Sequence, residues 1–587
     1  MARDAHLGIA YGHTATVAAI RGGALVFCES EERRNRLKGS SGFPTLVLDH
    51  VYREVLPAAD IASCTLFQTS ALGYHYLKSA GFRSHRGSGL ANDAFKAQLV
   101  GAGGARMDDG LVAAIARERA SQWTSPDDPA TSAEAAAYFS KATGLTGDRV
   151  LLADHHVCHA LSVLPFLRAP GPVLVFTLDG MGDGVCASVV ILDGASARML
   201  SQTLEPRSIG MVYQLVTGML GMRMNEDEYK VMGLAPYAER AACKDIEEEM
   251  ARLLWVDGDG EWQAAFGITE ILSAKLAELL RFRRFDHVAG ALQAYLETMT
   301  CRWVSAWVRR TGIRRIACAG GVFMNVKANG AIAGLPDVED LAVTPSAADE
   351  STAIGAAIHG HLASGESAPI APAAGIYLGS RFDDGAVDRA IQAAGAGERY
   401  RIERPADMAG RVAALLAEGE IVARFDGAAE FGARALGNRS ILAHPGRLDV
   451  VDKINQSIKQ RDFWMPFAPS LMAEEAGRYV VDPKGLASPY MMVGLPATAE
   501  GQARLPAALH RADRTMRPQI VRRDWNPAFH ALIAAFGRLT GTWAVLNTSF
   551  NLHGEPIVGS PEDAIRTLDR SGLRWLALGP YLMHKSS

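Results

Sequence analysis

Short apolar runs alternate with longer stretches along the whole chain. The runs HLGIA at 6–10, PVLVFTL at 172–178 and IVARF at 421–425 have the length and the apolar content of single strands. The stretches between such runs are rich in Ala and Leu, with apolar residues at helical spacing. Because strands that alternate with helices form sheets covered by helices, the pattern predicts an α/β fold.

One arrangement of strands occurs twice. Residues 6–30 read as a strand, a small polar turn, a second strand, the turn RGG and a third strand, and residues 172–200 repeat this order with the turn LDG. Two such units predict a duplicated fold with a cleft between its halves. The alternative is a chance likeness between two α/β segments, since two copies do not by themselves establish a repeat.

A segment rich in Gly, Ser, Pro and Ala interrupts the helical pattern at residues 360–380. This composition is typical of a linker. A new α/β unit follows it and continues toward the last residue. We therefore predict two domains, residues 1–365 and residues 376–587.

Composition narrows the class of protein. The 587 residues leave room for two to four folding units. Sixty basic and 64 acidic side chains give a net charge of −4, which argues against a nucleic-acid partner. No apolar run approaches the roughly 18 residues of a membrane span, and the first residues lack the apolar region of a signal peptide, so we expect a cytoplasmic protein with no membrane partner. The seven cysteines never form C-x-x-C, which favours reduced thiols.

Histidines and carboxylates of the N-terminal part have the spacing of a metal site. The segment DHHVCHALSVL at 154–164 predicts a helix with Asp154 as its N-cap, so His155 and His159 lie one turn apart on one face. Asp179 ends an apolar strand, and Asp349 stands at the predicted start of a helix. These ligand types suit Fe(II), Mn(II) or Zn(II) without choosing among them. Alone, an H-x-x-x-H pair is more often incidental, and Asp349 fits an N-cap as well as a ligand.

Two further segments of the N-terminal part have the composition of a phosphate site. CAGGVFMNVKANG at 318–330 predicts a strand that turns at Gly320 and Gly321 into a helix, whose N-terminus favours an anion. EYKVMGLAPY at 228–237 offers Lys230. The alternatives are a tight strand-to-helix turn and a lysine that faces solvent.

The C-terminal part joins cationic residues to glycine-rich turns. Arginine presents a planar pair of donors that matches two phosphate oxygens, so these segments predict a pocket for a small polyanion. The alternative is a solvated basic face. The candidate residues are Arg434, Arg439, Lys459, Arg461, Arg517, Asn547 and Ser549.

Together these segments resemble the O-carbamoyltransferase family that includes nodulation protein U, the cephem carbamoyltransferases and tobramycin carbamoyltransferase. The matching phrases span nearly the whole chain and include HHVCHA, LDGMGDG, EYKVMGLAPY, AGGVFMNVKAN, PSAADESTAIGAA, EFGARALGNRSILA, PFAPS and LNTSFNLHGEPIV. RALGNRSILA and LNTSFN followed by GEPIV are long phrases that are specific to the family.

The resemblance implies an N-terminal domain of the actin and sugar-kinase type, similar to the enzyme that makes threonylcarbamoyladenosine in tRNA, and a C-terminal YrdC-like domain. The implied activity is ATP-dependent O-carbamoyl transfer. The C-terminal domain would make carbamoyl adenylate from carbamoyl phosphate and ATP, with Mg²⁺ accompanying the ATP. The N-terminal domain would pass the carbamoyl group to a hydroxyl of a small molecule, a natural product such as an antibiotic precursor. The oligomeric state is left open, with a homodimer as one option.

The resemblance also implies roles for single residues of the N-terminal domain. The family's metal ligands, which are expected to hold iron, match His155, His159, Asp179 and Asp349. His13 matches a histidine of the first loop, beside the acceptor. We expect it to remove or orient the proton of the hydroxyl.

Positions for the nucleotide and the carbamoyl donor match as well. Gly321 and Asn325 match nucleotide-contacting positions, and we expect Arg434 and Lys459 to act in catalysis. The full set of candidate nucleotide- and donor-binding residues is Lys230, Gly320, Gly321, Asn325, Arg434, Arg439, Lys459, Arg461, Arg517, Asn547 and Ser549.

The sequence departs from the family at several places. Thr14 follows the first-loop histidine where the family has Asp, and Met465 stands where the family has Arg. The phrase that contains Arg517 is one residue longer than usual, and Arg461 is a candidate to replace the lost Arg contact. We expect residues 70–145 to recognise the acceptor, whose identity the sequence does not reveal.

Three other functions were weighed. A threonylcarbamoyl-type tRNA-modifying enzyme would need a basic surface, which the net charge of −4 disfavours. A metalloprotease would need a Glu after the first His of H-x-x-x-H, and position 156 is His. A non-catalytic nucleotide-binding regulator stays open because of Met465.

Overall fold

The computed structural model describes residues 3–67, 137–267, 269–366, 368–459, 461–486 and 489–585. Most of the segment 70–145, where we expect acceptor recognition, therefore lies outside the described residues. Two five-stranded sheets lie before residue 344 and an eight-stranded sheet lies after residue 399, so the predicted α/β class is confirmed. Among the described residues, no helix is both long enough and apolar enough to cross a membrane. All seven cysteines are free thiols.

The strands described before residue 344 are β1 (Ala5–Ala10), β2 (Thr16–Arg21), β3 (Ala24–Ser30), β4 (Ile61–Leu66), β5 (Val150–Leu152), β6 (Val173–Gly182), β7 (Val185–Asp193), β8 (Ser196–Leu204), β9 (Leu254–Val256), β10 (Trp262–Ala264), β11 (Arg315–Ala319) and β12 (Asp340–Val343). The helices are α1 (Glu32–Asn35), α2 (Thr45–His50), α3 (His155–Leu161), α4 (Ile209–Met219), α5 (Glu228–Leu234), α6 (Arg240–Leu253), α7 (Thr269–Leu280), α8 (Phe285–Thr311), α9 (Val326–Ala333) and α10 (Thr352–Ala363).

The two five-stranded sheets have the same topology. Their strand orders are β3-β2-β1-β4-β5 and β8-β7-β6-β11-β12. In each sheet three consecutive strands pair antiparallel, and two later strands extend the first of them in parallel. The duplication predicted from the two strand–turn–strand units is therefore confirmed.

Helices α3 and α10 lie between these two sheets. One hydrophobic core contains Leu7 and Ile9 of β1, Val175 of β6, and Ile354 and Ile358 of α10. Alternate residues of β6 face the opposite way, into a second core that is covered by α4 and α8. Because α3 is enclosed by both halves, its polar side chains either open into the cleft between them or pack against a sheet.

Helix α10 crosses α3 without space for a side chain. A Cβ atom added at Gly355 of α10 would lie 1.7 Å from the carbonyl oxygen of Cys158 in α3. We expect Gly355→Ala to lower the free energy of unfolding by about 1–3 kcal/mol, because the backbones must separate. Circular dichroism during urea unfolding measures this change. Gly147→Ala, at a position with open space around it, should change the unfolding midpoint little, and equal midpoints for both variants would contradict the close crossing.

The C-terminal part has strands β13 (Tyr400–Glu403), β14 (Val422–Phe425), β15 (Arg439–Ala443), β16 (Ala468–Met472), β17 (Leu495–Pro496), β18 (Thr515–Met516), β19 (Gln519–Val521), β20 (Ala544–Ser549), β21 (Trp575–Leu578) and β22 (Tyr581–Lys585). Its helices are α11 (Asp384–Ala393), α12 (Ala396–Arg399), α13 (Met408–Glu418), α14 (Asp449–Ile454), α15 (Ala499–Arg504), α16 (Pro527–Thr540) and α17 (Pro561–Asp569).

The eight-stranded sheet is mixed, in the order β13-β22-β21-β14-β15-β20-β16-β19, and helices cover both faces. Ala423 of β14 belongs to a core with α11, α14 and α17. Its neighbour Val422 belongs to a core with α13 and α16 on the other face. This alternation is what the pleat of a strand between two helical layers requires.

The predicted linker, residues 360–380, begins inside helix α10, and from residue 364 onward its described residues have no regular structure. Helix α10 ends at Ala363, and the next helix begins at Asp384. The division into residues 1–365 and 376–587 remains a prediction.

Candidate functional site

Helix α3 carries two of the predicted metal ligands. It begins after Asp154, whose Oδ1 accepts the N–H of Val157 at 2.8 Å, so the predicted N-cap is confirmed. His155 and His159 face the cleft one turn apart and are fully buried. His156 points into the second sheet, where its ring nitrogens lie 2.7 Å from Thr177 Oγ1 and 2.9 Å from the Val185 carbonyl oxygen. Burial lowers the pKa of His156 to about 3, which makes it a neutral anchor for the helix.

The structure brings the four predicted metal ligands together. Ligand atoms of His155, His159, Asp179 and Asp349 lie within 4.8 Å of one another. Asp179 Oδ2 is 3.3 Å from Nε2 of His155 and 3.1 Å from Nε2 of His159. Asp349 Oδ1 is 3.9 Å and 3.7 Å from the same two nitrogens.

The two aspartates reach the cleft from different elements. Asp179 does not end its strand as predicted, because β6 continues to Gly182 through a register shift after Leu178. Asp349 begins a single 3-10 turn before α10, and its side chain caps no described helix. Of the two interpretations of Asp349, the geometry therefore favours the ligand over the N-cap.

The charges of the cluster stabilise one another. Burial opposes ionisation of the Asp179 carboxyl, but hydrogen bonds with His155 and His159 outweigh burial and hold its pKa well below the usual range. Burial also disfavours charge on His159, yet its bonds to Asp179 and Asp349 raise its pKa to about 9. A carboxylate pair that attracts a proton this strongly also attracts a metal cation, which competes for the same nitrogen.

The donor set fits a divalent transition metal. Two imidazole Nε2 atoms and two carboxylate oxygens converge on one point, and such mixed nitrogen and oxygen donors suit iron, manganese or zinc. The outer nitrogen of His159 lies 3.3 Å from Ser351 Oγ, an outer contact of the kind that orients metal-binding histidines. Gly321 passes so close that an added Cβ would lie 2.9 Å from Asp179 Oδ1. The close approach to Asp179 therefore accounts for a glycine at position 321 whether or not a phosphate binds there.

Other predicted nucleotide contacts are engaged within the protein. Gly320 has φ +103°, and an added Cβ would lie 2.4 Å from the Leu178 carbonyl oxygen. Asn325 caps α9 and exchanges hydrogen bonds with Gln293 at 2.8 and 3.0 Å. Lys230 Nζ lies 3.2 Å from Asp227 and 3.7 Å from Asp462. A bound nucleotide would have to share these side chains with their present partners.

A cation-lined pocket lies where the N- and C-terminal parts meet. Its lining from the N-terminal part includes Tyr229 and Lys327, and its lining from the C-terminal part includes Arg434, Met465 and Arg517. Met465, the residue that replaces an Arg of the family, therefore lies in the pocket wall.

An adjoining cavity of about 230 Å³ shares Met465 with this pocket and adds Arg461. Arg461, another predicted anion-binding residue, therefore also faces a cavity. Arg461 also lies over the Phe467 ring, 5.1 Å from its centroid.

Two guanidinium groups of this region have N–H groups without a hydrogen-bond partner in the described residues. Nε of Arg434 and Nη1 of Arg517 are buried and make no hydrogen bond within the described residues. Burial lowers the pKa of all three arginines, with that of Arg461 falling to about 10. The charges of Arg434 and Arg461 lower the pKa of Arg517 further. Close, buried like charges of this kind favour binding of an anion.

Lys459 is a further cation near these arginines, although it is not among the lining residues of either cavity. Its ammonium donates to Ser549 Oγ at 3.0 Å and to Asn551 Oδ1 at 2.6 Å. Burial lowers its pKa well below the usual range, and the nearby charges of Arg461 and Lys38 act in the same direction. Ser549, another predicted ligand of the anion site, thus lies beside Lys459.

Two predicted anion ligands instead support the fold. The Arg439 guanidinium donates to the carbonyl oxygens of Asp426, Asn438, Ser380 and Gly427 at 2.8–3.3 Å. It stacks on Phe425, 3.6 Å from the ring centroid. The amide of Asn547 donates to Ala435, Ser470 and Gln519 and is buried. Neither side chain is among the lining residues of the two cavities, although Nε of Arg439 and Oδ1 of Asn547 have no hydrogen-bond partner within the described residues.

The loop at 346–351 connects the metal cluster with the arginine loop. Asp349 faces the cluster, while Ser346 and Glu350 face the loop that contains Arg434. Ser346 Oγ donates to the Glu350 carboxylate and accepts the N–H of Ala433 at 3.3 Å. The sequence analysis did not single out Ser346 or Glu350. The sequence signal for Glu350 is an acidic residue directly after a predicted metal ligand.

His13 lies on the loop after β1 and is exposed. Burial raises the pKa of the Glu228 and Glu350 carboxyls, and His13 lies close enough to both to oppose part of that rise, which places it at the mouth of the same cleft. Thr14 has φ +52° and donates to Glu350 Oε2 at 3.4 Å. The loop is thereby tied to the acid that follows Asp349.

The chain matches two family models. One, described as the carbamoyltransferase N-terminus, matches residues 129–358, and the other, the carbamoyltransferase C-terminus, matches residues 413–585. The first match contains all four residues of the metal cluster, and the second contains Arg434, Lys459, Arg461 and Arg517.

Several curated proteins are similar over long stretches. Nodulation protein NolNO of Sinorhizobium fredii is 34% identical over 76% of this chain and 65% of its own length. Nodulation protein NolO of Bradyrhizobium diazoefficiens is 32% identical over 74% of this chain and 79% of its own. The 3'-hydroxymethylcephem-O-carbamoyltransferase of Amycolatopsis lactamdurans is 34% identical over 28% of this chain and 30% of its own. With both models matched in order, the chain belongs to the carbamoyltransferase family, and it is a transferase.

Proposed function

We propose that this protein is an ATP-dependent O-carbamoyltransferase that uses its two sites in sequence. In the cation-lined pocket, carbamoyl phosphate reacts with water and loses phosphate. The resulting carbamate attacks the α-phosphorus of ATP, so that pyrophosphate leaves and carbamoyl adenylate forms. At the N-terminal site, an acceptor hydroxyl attacks the carbamoyl carbon, the bond to AMP breaks and the hydroxyl proton is released. The acceptor is a small molecule of the natural-product class, and the reaction involves no nucleic acid.

The group of buried cations carries the first half of this proposal. Arg434 and Arg461 lower the pKa of Arg517, and Arg434 also lowers that of Arg461, in addition to the larger effect of burial. Arg434 and Arg517 also have N–H groups without a partner in the described chain. A polyanion supplies both the missing charge and the missing acceptors. Carbamoyl phosphate and ATP, the latter as its Mg²⁺ complex, are polyanions of this kind. Activation is chemically necessary because the carbamoyl nitrogen donates into its carbonyl and leaves it a poor electrophile.

The second half rests on the cleft between the two sheets. His155, His159, Asp179 and Asp349 would hold the divalent metal, with iron as the ion that the family resemblance favours. Such an ion supplies positive charge to phosphate oxygens of the adenylate. His13 lies at the mouth of this cleft on an exposed loop and would accept or orient the proton of the acceptor hydroxyl.

The direct test supplies ATP and carbamoyl phosphate and measures pyrophosphate. Mass spectrometry of a panel of hydroxylated metabolites then detects the gain of one carbamoyl group. The proposal expects pyrophosphate only when both substrates are present, and a carbamoylated alcohol among the panel. Release of pyrophosphate that does not depend on carbamoyl phosphate would overturn it.

His13→Asn separates the two halves. We expect transfer to the acceptor to fall by about 10²–10⁴-fold, because a positioned base is lost, while pyrophosphate formation stays unchanged. His530→Asn, at a histidine paired with Glu474 in the C-terminal part, is the matched control and should affect neither rate. Unchanged transfer in His13→Asn would exclude the assigned role.

A further inference from the structure

A second group of potential metal ligands lies at the far end of α10 from Asp349. His6 of β1, His361 in the last turn of α10 and Glu366 beyond the helix offer ligand atoms within 4.8 Å of one another. Asp349 and His361 are twelve residues apart in the sequence, so a helical rise of 1.5 Å per residue separates the two groups by about 18 Å. The second group is therefore distinct from the proposed reaction centre.

The three side chains converge on the Glu366 carboxylate. Its Oε1 lies 2.9 Å from Nε2 of His6, and its Oε2 lies 3.3 Å from Nδ1 of His361. Both imidazoles are fully buried, whereas Glu366 is 28% exposed. The group is thus closed by protein on the histidine side and reaches solvent on the carboxylate side.

The outer nitrogens of both rings are already held. Nε2 of His361 lies 2.7 Å from the carbonyl oxygen of Ala368, which can only accept, so this nitrogen carries the hydrogen. In the neutral ring, Nδ1 of His361 then turns a lone pair toward Glu366 Oε2, which is another acceptor. Nδ1 of His6 lies 2.8 Å from Ser63 Oγ. Histidines whose outer N–H is fixed by a carbonyl or a hydroxyl while the inner nitrogen stays bare are typical metal ligands.

Two facing acceptors at 3.3 Å need a cation between them. A proton between His361 and Glu366 satisfies that one contact, with His6 donating its Nε2 hydrogen to Glu366 Oε1 at 2.9 Å, but it does not join the two imidazoles. A divalent ion accepts lone pairs from both imidazoles and the carboxylate at once, and a set of two nitrogens and one oxygen is of the kind that Zn²⁺ binds. We propose that His6, His361 and Glu366 bind a divalent transition-metal ion of the Zn²⁺ type.

The role of this ion is to fasten the predicted linker. The three ligands come from three separate segments: the first strand, the end of α10 and the stretch that leads into the C-terminal part. An ion that joins them cross-links residues 6 and 366, which are 360 positions apart in the sequence. The site thereby fixes where the linker leaves the N-terminal part, apart from the proposed carbamoyl chemistry.

Metal stoichiometry of the full chain tests the proposal. The double variant Asp179→Asn/Asp349→Asn weakens the first group, so the Zn²⁺ it retains reports the second. After chelation and titration with Zn²⁺, mass spectrometry should find about one equivalent bound, and adding Glu366→Gln should remove it. Failure of the double variant to bind Zn²⁺, or equal binding with and without Glu366→Gln, would overturn the proposal. Neither outcome depends on carbamoyl transfer, so the proposed function is tested separately.

Glu366→Gln keeps the shape of a partly exposed side chain, so the fold should survive even if His361→Ala fails to fold. Glu418→Gln, at an exposed glutamate in α13, is the matched control and should keep the bound equivalent. Limited proteolysis between residues 364 and 375 tests the fastening. With free Zn²⁺ at about ten times its Kd, cleavage of the wild-type chain should slow about tenfold. Cleavage of Glu366→Gln should not respond to Zn²⁺, and an unresponsive wild-type chain would contradict the fastening role.

Discussion

We expect Asp179→Asn to remove most carbamoyl transfer and to leave donor activation intact. Asp179 is the residue closest to both histidines of the cluster, with Oδ2 at 3.3 and 3.1 Å from their Nε2 atoms. The amide loses the negative charge that attracts a cation and sets the charge state of His159. We expect metal at this site to be lost and transfer to fall by at least about 10²-fold. Pyrophosphate formation should persist, because the cations of the pocket are unchanged.

The measurement pairs metal analysis with the two partial reactions on the same sample. Asp193→Asn, at an exposed aspartate at the end of β7 in the same sheet, is the matched control and should keep both metal and transfer. Loss of pyrophosphate formation together with transfer would show that the metal cluster also serves donor activation. That result would contradict the assignment of the two reactions to two separate sites.

We expect Arg517→Met to impair donor activation strongly without weakening the fold. The Arg517 guanidinium lacks a partner for Nη1 in the described chain and is repelled by Arg434 and Arg461. Removing it relieves repulsion between buried cations, so the unfolding midpoint without ligand should stay or rise. Removing it also takes away a donor to the bound anion, which should lower kcat/KM for pyrophosphate formation by about 10²–10³-fold. Urea unfolding and a pyrophosphate assay measure the two effects.

Arg439→Met is the matched control and should show the opposite pattern. Its guanidinium is 1% exposed and bonds to four backbone carbonyls. Its loss leaves buried acceptors without donors and should destabilise the protein by about 3–5 kcal/mol. A stable Arg439→Met with impaired activation, or an unstable Arg517→Met, would reverse the roles that the contacts assign to these arginines.

The sequence predicts those parts of the fold and site that depend on local pattern. The turn spacing of His155 and His159 and the cap at Asp154 follow from helix geometry. The duplicated sheets follow from two similar strand–turn–strand units. These features need only neighbouring residues, which one sequence supplies.

Other parts depend on contacts that one sequence cannot reveal. Arg434 and Arg439 stand five positions apart in one motif, yet one faces the pocket and the other holds four carbonyls. Nothing in their spacing separates the two roles, because both depend on where β14 and the Ser380 region pack. Likewise, His6 and Glu366 meet only because α10 returns the chain to the first strand.

The loop at 346–351 has a consequence for any rearrangement of the gene. It supplies Asp349 to one catalytic half and, through Ser346, holds the backbone of Ala433 in the other. A C-terminal half transplanted onto a foreign partner would leave these contacts behind. An exchange of halves between relatives that is meant to change the acceptor therefore has to include residues 346–351 together with the C-terminal half that they contact.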